Sequence, residues 1–196
     1  MQHRTAVDLI VNGMQRGDTA WADLGSGDGT FTRALRELLA PDADIYAVDV
    51  DGAMLKRQKR LGSNADLLKT HLIEADFRQP LELPPLDGVL LANALHFVED
   101  QVTVLEQVRA YLKSSGRLVI VEYDITQGSV WVPYPLPFRT LTRLASAAGF
   151  QPLVLLATTR SRFRSQIYSA LAVTGAQRHR AMSQREDSVA DGGGRR

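Results

Sequence analysis

The stretch Asp23-Leu24-Gly25-Ser26-Gly27-Asp28-Gly29-Thr30 decides the fold. Ahead of it, Thr19 to Leu24 reads as a short strand. Behind it, residues 30–39 place Phe31, Leu35, Leu38 and Leu39 on one side of a helix. A strand that enters a glycine-rich turn and leaves as a helix opens a β-α-β unit. The glycines permit a tight turn and close backbone approach to a ligand, with the helix N-terminus behind them. Their spacing separates this loop from the dinucleotide fingerprint, because Gly29 follows Gly27 by two residues rather than three. Asp23 stands just before the turn, where a carboxylate repels a pyrophosphate and attracts an ammonium or sulfonium.

Outward from this stretch the alternation continues. Residues 4–16 carry Val7, Ile10, Val11 and Met14 at helical spacing, closed by Gly17-Asp18. Ile45 to Val48 is a second strand, and Asp51 caps a helix reaching about Leu61. Residues 70–74 form a third strand, Leu86 to Leu91 a fourth and Arg117 to Glu122 a fifth, with a helix over Val102 to Leu112. The fourth and fifth are almost continuously apolar, as strands covered on both faces are. A helix over 139–148 ends at Gly149. Strands over 151–158 and 166–173 follow, separated by too few residues for a crossover helix, so they pair as an antiparallel hairpin at the sheet edge. The expected architecture is α/β: a Rossmann-like, doubly wound, mostly parallel seven-stranded sheet with an antiparallel edge hairpin. It occupies one domain over 1–174, with 175–196 a disordered basic tail low in apolar residues.

Composition bounds the chemistry. The 196 residues fit a single domain, and 44% hydrophobic with 23% charged residues is the balance of an ordinary globular protein. There is no cysteine, which excludes disulfides, thiolate metal sites and a cysteine nucleophile, and fits a cytoplasmic location. No run of about 18 apolar residues spans a membrane, and Met1 to Arg16 is too polar for a signal-peptide core. The net charge of +1 conceals an asymmetry. No acid lies between Asp124 and Glu186, an interval that holds Arg139, Arg143, Arg160, Arg162, Arg164, Arg178, Arg180 and Arg185.

Two further carboxylates join Asp23 at strand ends. Asp49 ends the second strand, placed to accept from both hydroxyls of a ribose. Asp76 ends the third and is followed by Phe77; a carboxylate there accepts from an exocyclic amine while apolar neighbours sandwich a base. Open α/β sheets bind ligands at the carboxyl ends of their strands, so the three acids line one crevice.

These motifs resemble the class I S-adenosylmethionine-dependent methyltransferases, specifically the small ubiquinone-biosynthesis type, over residues 20–173. The resemblance implies S-adenosyl-L-methionine as cofactor and S-adenosyl-L-homocysteine as product. It implies that Asp23, Gly25, Ser26, Gly27 and Gly29 hold the methionine and ribose parts, and that Asp49 holds the ribose. Val50 and Met54 then flank the adenine, with Asp76 and Phe77 at its edge. Asn93 and His96 follow the fourth strand where the family's loop approaches the methionine part; His96 is placed with the cofactor contacts, and no catalytic residue or metal ligand is assigned. Arg109 to Gly116 resembles the turn before the family's fifth strand, with Ser114 and Ser115 where Pro and Gly are usual.

The expected reaction is in-line methyl transfer to oxygen, nitrogen or carbon of a small organic acceptor. Proximity and alignment carry most of its rate enhancement. The acceptor is expected near His96, Glu122, Tyr123, Asp124 and the aromatic, proline-rich insert Trp131 to Phe138. Without a cysteine, cytosine C5 methylation is disfavoured. Alternatives left open are an RNA or phosphate-bearing acceptor met by Arg160, Arg162 and Arg164, a catalytically silent cofactor-binding module, and a homodimer in which another subunit serves as lid.

Overall fold

The computed structural model describes residues 1–63, 67–161 and 165–175. Arg162, Arg164 and the tail beyond Gly175 lie outside the described residues. Helix α1 spans His3–Ile10, α2 Thr30–Leu38, α3 Gly52–Leu61, α4 Gln101–Tyr111 and α5 Phe138–Ala147. The strands are β1 Ala20–Leu24, β2 Asp44–Asp49, β3 Thr70–Glu74, β4 Leu86–Ala92, β5 Leu112–Tyr123, β6 Val154–Arg160 and β7 Gln166–Val173. Among the described residues they form one seven-stranded sheet in the order β3-β2-β1-β4-β5-β7-β6. The first five run parallel; β7 pairs antiparallel with both β5 and β6, which is the edge hairpin expected.

The order fixes where a ligand binds. From β1 the chain winds outward to β3, then crosses to β4 on the other side of β1. The carboxyl ends of β1 and β4 therefore flank the point where the winding reverses, and a crevice opens there.

Period-two alternation along the central strands builds two cores. Val89 and Leu91 of β4 and Leu118 and Ile120 of β5 face Val104, Leu105 and Val108 of α4 and Leu141 and Ala145 of α5. Their neighbours Leu90, Val119 and Val121 face the other way, onto Leu9 and Ile10 of α1 and Phe31 and Leu35 of α2. Burying each such side chain contributes about 1.5–3 kcal/mol. Asp51 caps α3 as expected, its carboxylate accepting from the N–H groups of Ala53 and Met54.

Three boundaries differ from the sequence reading. Helix α1 stops at Ile10 and tightens into a 3-10 turn over Val11–Gly13, because the chain there passes close to β5: a Cβ on Gly13 would lie 2.5 Å from Val119 Cγ2. Strand β5 starts at Leu112 rather than Arg117. Leu112 pairs with Leu86, and the register then slips before Gly88 meets Arg117. Strand β6 starts at Val154 rather than 151.

Candidate functional site

The glycine loop is sewn to the neighbouring strand before any ligand arrives. The N–H groups of Gly25 and Ser26 donate to Val48 O at 2.8 and 3.0 Å. Gly27 N–H donates to Asp49 Oδ2 at 2.7 Å, and Asp51 N–H donates to Asp49 Oδ1 at 2.8 Å. Asp49 thus fixes the loop, and each of its oxygens keeps a second lone pair for a ligand hydroxyl. Two glycines are obligatory for different reasons. Gly25 has φ +76° and passes so near the fourth-strand loop that a Cβ would lie 2.6 Å from Ala94 Cβ. Gly27 has φ +55° and faces open space, a hollow that a side chain would fill.

That hollow belongs to a cavity of about 810 Å³ at the reversal point of the sheet. Gly25, Gly27, Asp49, Val50, Met54, Asp76, Phe77 and Asn93 all line it. Four expected residues lie behind the wall instead. Ser26 is buried, its hydroxyl accepting from Gln58 Nε2 at 3.4 Å. Gly29 begins α2 against Gln58. Asp23 is 1% exposed beneath the loop. His96 is 2% exposed, its ring turned onto Glu122.

The walls carry marks of a binding site. Asn93 adopts φ +52°, a left-handed conformation costly for a residue with a side chain, and its Oδ1 is buried with no partner. Asp23 Oδ2 accepts from Thr32 Oγ1 at 2.6 Å, but Oδ1 is buried and unpaired. Burial pushes the Asp23 carboxyl up to about 7; the Thr32 hydrogen bond opposes this, and the nearby Asp49 charge adds to it. The cavity itself holds Asp49, Asp51 and Asp76 against one cation, Arg78. A cationic ligand relieves both this excess of negative charge and the orphaned acceptors, so the residues present fit S-adenosylmethionine.

Asp76 is more encumbered than its sequence position suggests. Arg78 donates to both of its oxygens at 2.7–3.0 Å, and this hydrogen-bonded guanidinium holds the carboxyl below its ordinary range. Nothing in the sequence marked Arg78, because a pairing of residues two apart depends on the local turn. Phe97, Val98 and Trp131 also line the cavity. Trp131 belongs to the aromatic insert, whereas Phe97 sits on a 3-10 turn over Leu95–Phe97 that no spacing revealed. A separate cavity of about 400 Å³ is lined by Tyr123, Thr159 and Arg160. No helix among the described residues is long and apolar enough to cross a membrane.

Comparison with known proteins adds a lineage. Residues 22–118 match the family model described as a methyltransferase domain. The trans-aconitate 2-methyltransferase of Azoarcus sp. is 27% identical over 153 residues, which cover 76% of this chain and 57% of that protein. The ubiquinone/menaquinone biosynthesis C-methyltransferase UbiE of Teredinibacter turnerae is 26% identical over 125 residues, covering 62% of this chain and 49% of that protein. The chain thus spans about half the length of these curated relatives. An S-adenosylmethionine-dependent methyltransferase from Clostridium acetobutylicum shares the fold with a TM-score of 0.67 at 13% identity, over 89% of this chain and 93% of that one.

Proposed function

The chain belongs to the class I S-adenosylmethionine-dependent methyltransferases, and from that premise we propose that it transfers a methyl group to a small organic acceptor. The observation that carries the reading is the convergence of Gly27, Asp49, Asp76 and the strained Asn93 on one cavity. When bound, the cofactor supplies a methyl group activated by its sulfonium. The chain's own residues bind, orient and exclude water. Asp49 accepts from the ribose hydroxyls while holding Gly27 N–H. Val50, Met54 and Phe77 enclose the base, and Asp76 meets its edge once Arg78 yields a lone pair. Asn93 Oδ1 and Asp23 face the cationic methionine end, Asn93 by hydrogen bond and Asp23 through its field. Ser26, Gly29 and Gln58 shape the loop from behind. The exposed mouth between Phe97 and Trp131 admits the acceptor.

Calorimetric titration with S-adenosylmethionine and S-adenosylhomocysteine tests this. Saturable one-to-one binding is expected, weakened by about 1.5–3 kcal/mol in Asp49→Ala, the range for charge-assisted hydrogen bonds lost. Absence of binding by folded protein would sink the reading. Unchanged affinity in Asp49→Ala would remove that residue from the site.

A further inference from the structure

The second cavity, of about 400 Å³, opens on the same rim of the sheet as the cofactor cavity and has the opposite electrical character. Strand β5 runs parallel to β4, and β5 and β6 both run antiparallel to β7, so the carboxyl ends of β4, β5 and β6 share one side of the sheet. Tyr123 of β5, Ile167 of β7 and Thr159 of β6 stand in register in one row across that side, and all three line the cavity. Thr5 of α1 and Arg160, the last residue of β6, line it too. Among the described residues no carboxylate does, whereas the cofactor cavity holds Asp49, Asp51 and Asp76.

The polar groups around this space are uncommitted. Arg160 is exposed, and among the described residues no acid pairs with it. The sequence explains why, since no Asp or Glu lies between Asp124 and Glu186. The hydroxyls of Thr5, Tyr123 and Thr159 have no hydrogen-bond partner among the described residues. Burial, and after it the charge of Glu122, raises the Tyr123 phenol, so it keeps its proton and can donate. A guanidinium presents a fork of N–H donors that matches the oxygens of a carboxylate or phosphate, and neighbouring hydroxyls add further donors. One cation, three free hydroxyls and no acid suit an oxyanion. A volume of about 400 Å³ is that of a small-ligand pocket, not of a groove that tracks a nucleic-acid strand. An aromatic row joins the two cavities. Tyr123 lines the second and Phe97 the first, and the His96 ring neighbours both, with centroids 6.1 Å from Tyr123 and 4.3 Å from Phe97.

We propose that this second cavity is an oxyanion subsite, which holds a carboxylate or phosphate group of the methyl acceptor against Arg160 and Tyr123 while the reacting atom of the same molecule lies in the cofactor cavity beyond Phe97. This rests on the methyltransferase reading above and narrows the acceptor to a small anion. Arg160 and Tyr123 are binding residues that select which molecule is methylated, and neither makes or breaks a bond. Opposite charges are thus received at two places on one rim: acids hold the cationic cofactor, and Arg160 holds the anionic acceptor. A neutral analogue of the same shape leaves the guanidinium and the hydroxyls unpaired, which lowers its affinity.

The acceptor's identity is not needed for the test. S-adenosylhomocysteine alkylated on sulfur carries a chain where the methyl group and the acceptor would lie. Chains of graded length ending in a carboxylate, a phosphonate or a neutral carboxamide are titrated into the intact protein by calorimetry. At one length the carboxylate or the phosphonate should bind about tenfold more tightly than the carboxamide, and the preferred end group identifies the acceptor's anion. Arg160→Gln should abolish the preference and Arg160→Lys should keep part of it. Tyr123→Phe should reduce it a few-fold, a loss that attraction to a stray surface charge would not show. S-adenosylhomocysteine itself should bind every variant as it binds the wild type, which also shows that each has folded. Should Arg160→Gln not fold, the wild type still decides. Its Ile167 methyl and Arg160 Nε–H resonances should shift with the preferred anionic analogue and not with the carboxamide. Equal affinity of anionic and neutral chains at every length, a preference that survives Arg160→Gln, or Arg160-dependent retention of RNA that the anionic analogue fails to displace would overturn the proposal. Failure of S-adenosylhomocysteine itself to bind would instead remove the reading beneath it.

Discussion

Asp23→Asn separates what the buried carboxylate costs the fold from what it gives the ligand. Burial raises the Asp23 carboxyl from 3.8 to about 7. A raised acid stabilises the fold fully below its unfolded pKa, and that contribution is lost as pH rises through the folded value. A shift of about 3 units corresponds to on the order of 4 kcal/mol, all of it missing above about pH 7. Asn keeps the shape and can still accept from Thr32, but cannot ionise. The substitution should therefore raise Tm at about pH 8 and leave it near the wild-type value at about pH 4. Ligand binding should respond in the opposite sense. A cation beside Asp23 favours its ionised form, so wild-type binding of S-adenosylmethionine should release up to one proton. For a carboxyl titrating near 7, the Kd should fall about tenfold between about pH 6 and pH 8. Calorimetry in buffers of different ionisation enthalpy measures both affinity and proton release. The ligand's own ammonium titrates identically with both proteins and cancels in the comparison with Asp23→Asn. A wild-type Kd that does not move over this range, or a movement that Asp23→Asn reproduces in full, would refute the assignment.

Other substitutions discriminate the remaining parts. Gly27→Ala should destabilise the fold by only about 1 kcal/mol, the strain of a left-handed residue, yet weaken S-adenosylhomocysteine binding well beyond that, because the methyl fills the ligand's hollow; equal affinity by calorimetry would contradict this. Gly88→Ala is the converse. Its Cβ would lie 2.2 Å from the buried Trp21 ring, so denaturant titration should show a loss of about 1–3 kcal/mol or failure to fold. Arg78→Ala frees both oxygens of Asp76 and should tighten S-adenosylhomocysteine binding several-fold; weaker binding would mean that Arg78 itself holds the ligand. Tyr168→Phe removes the hydroxyl that donates to Leu136 O at 2.6 Å in the core and should cost about 1–2 kcal/mol in urea unfolding, with no change in cofactor affinity.

The sheet was legible because its causes are local. A strand that enters a glycine turn, a capped helix after Asp49 and two closely spaced strands near the end each follow from neighbouring residues, and together they dictate a parallel sheet with an edge hairpin. Seven of the eight expected residues that reach the cavity stand at or just beyond strand ends, and strand order places those ends together; Met54 comes from the first turn of α3. What stayed hidden depends on contacts across the fold. Glu122 and His96 are far apart in sequence and meet only because β4 and β5 are neighbours. The clamp of Arg78 on Asp76 and the left-handed turn at Asn93 depend on backbone geometry that composition does not encode. The 3-10 turn at Gly13 accompanies a close passage over β5, a contact across the fold in which a Cβ would lie 2.5 Å from Val119 Cγ2.

The most direct test of the central claim is a crystal structure with S-adenosylhomocysteine bound. The account predicts the ligand in the 810 Å³ cavity, its ribose hydroxyls on Asp49, its base against Val50 and Phe77, and its ammonium end toward Asn93. Ligand bound elsewhere, or in that cavity with Asp49 and Asn93 untouched, would contradict it.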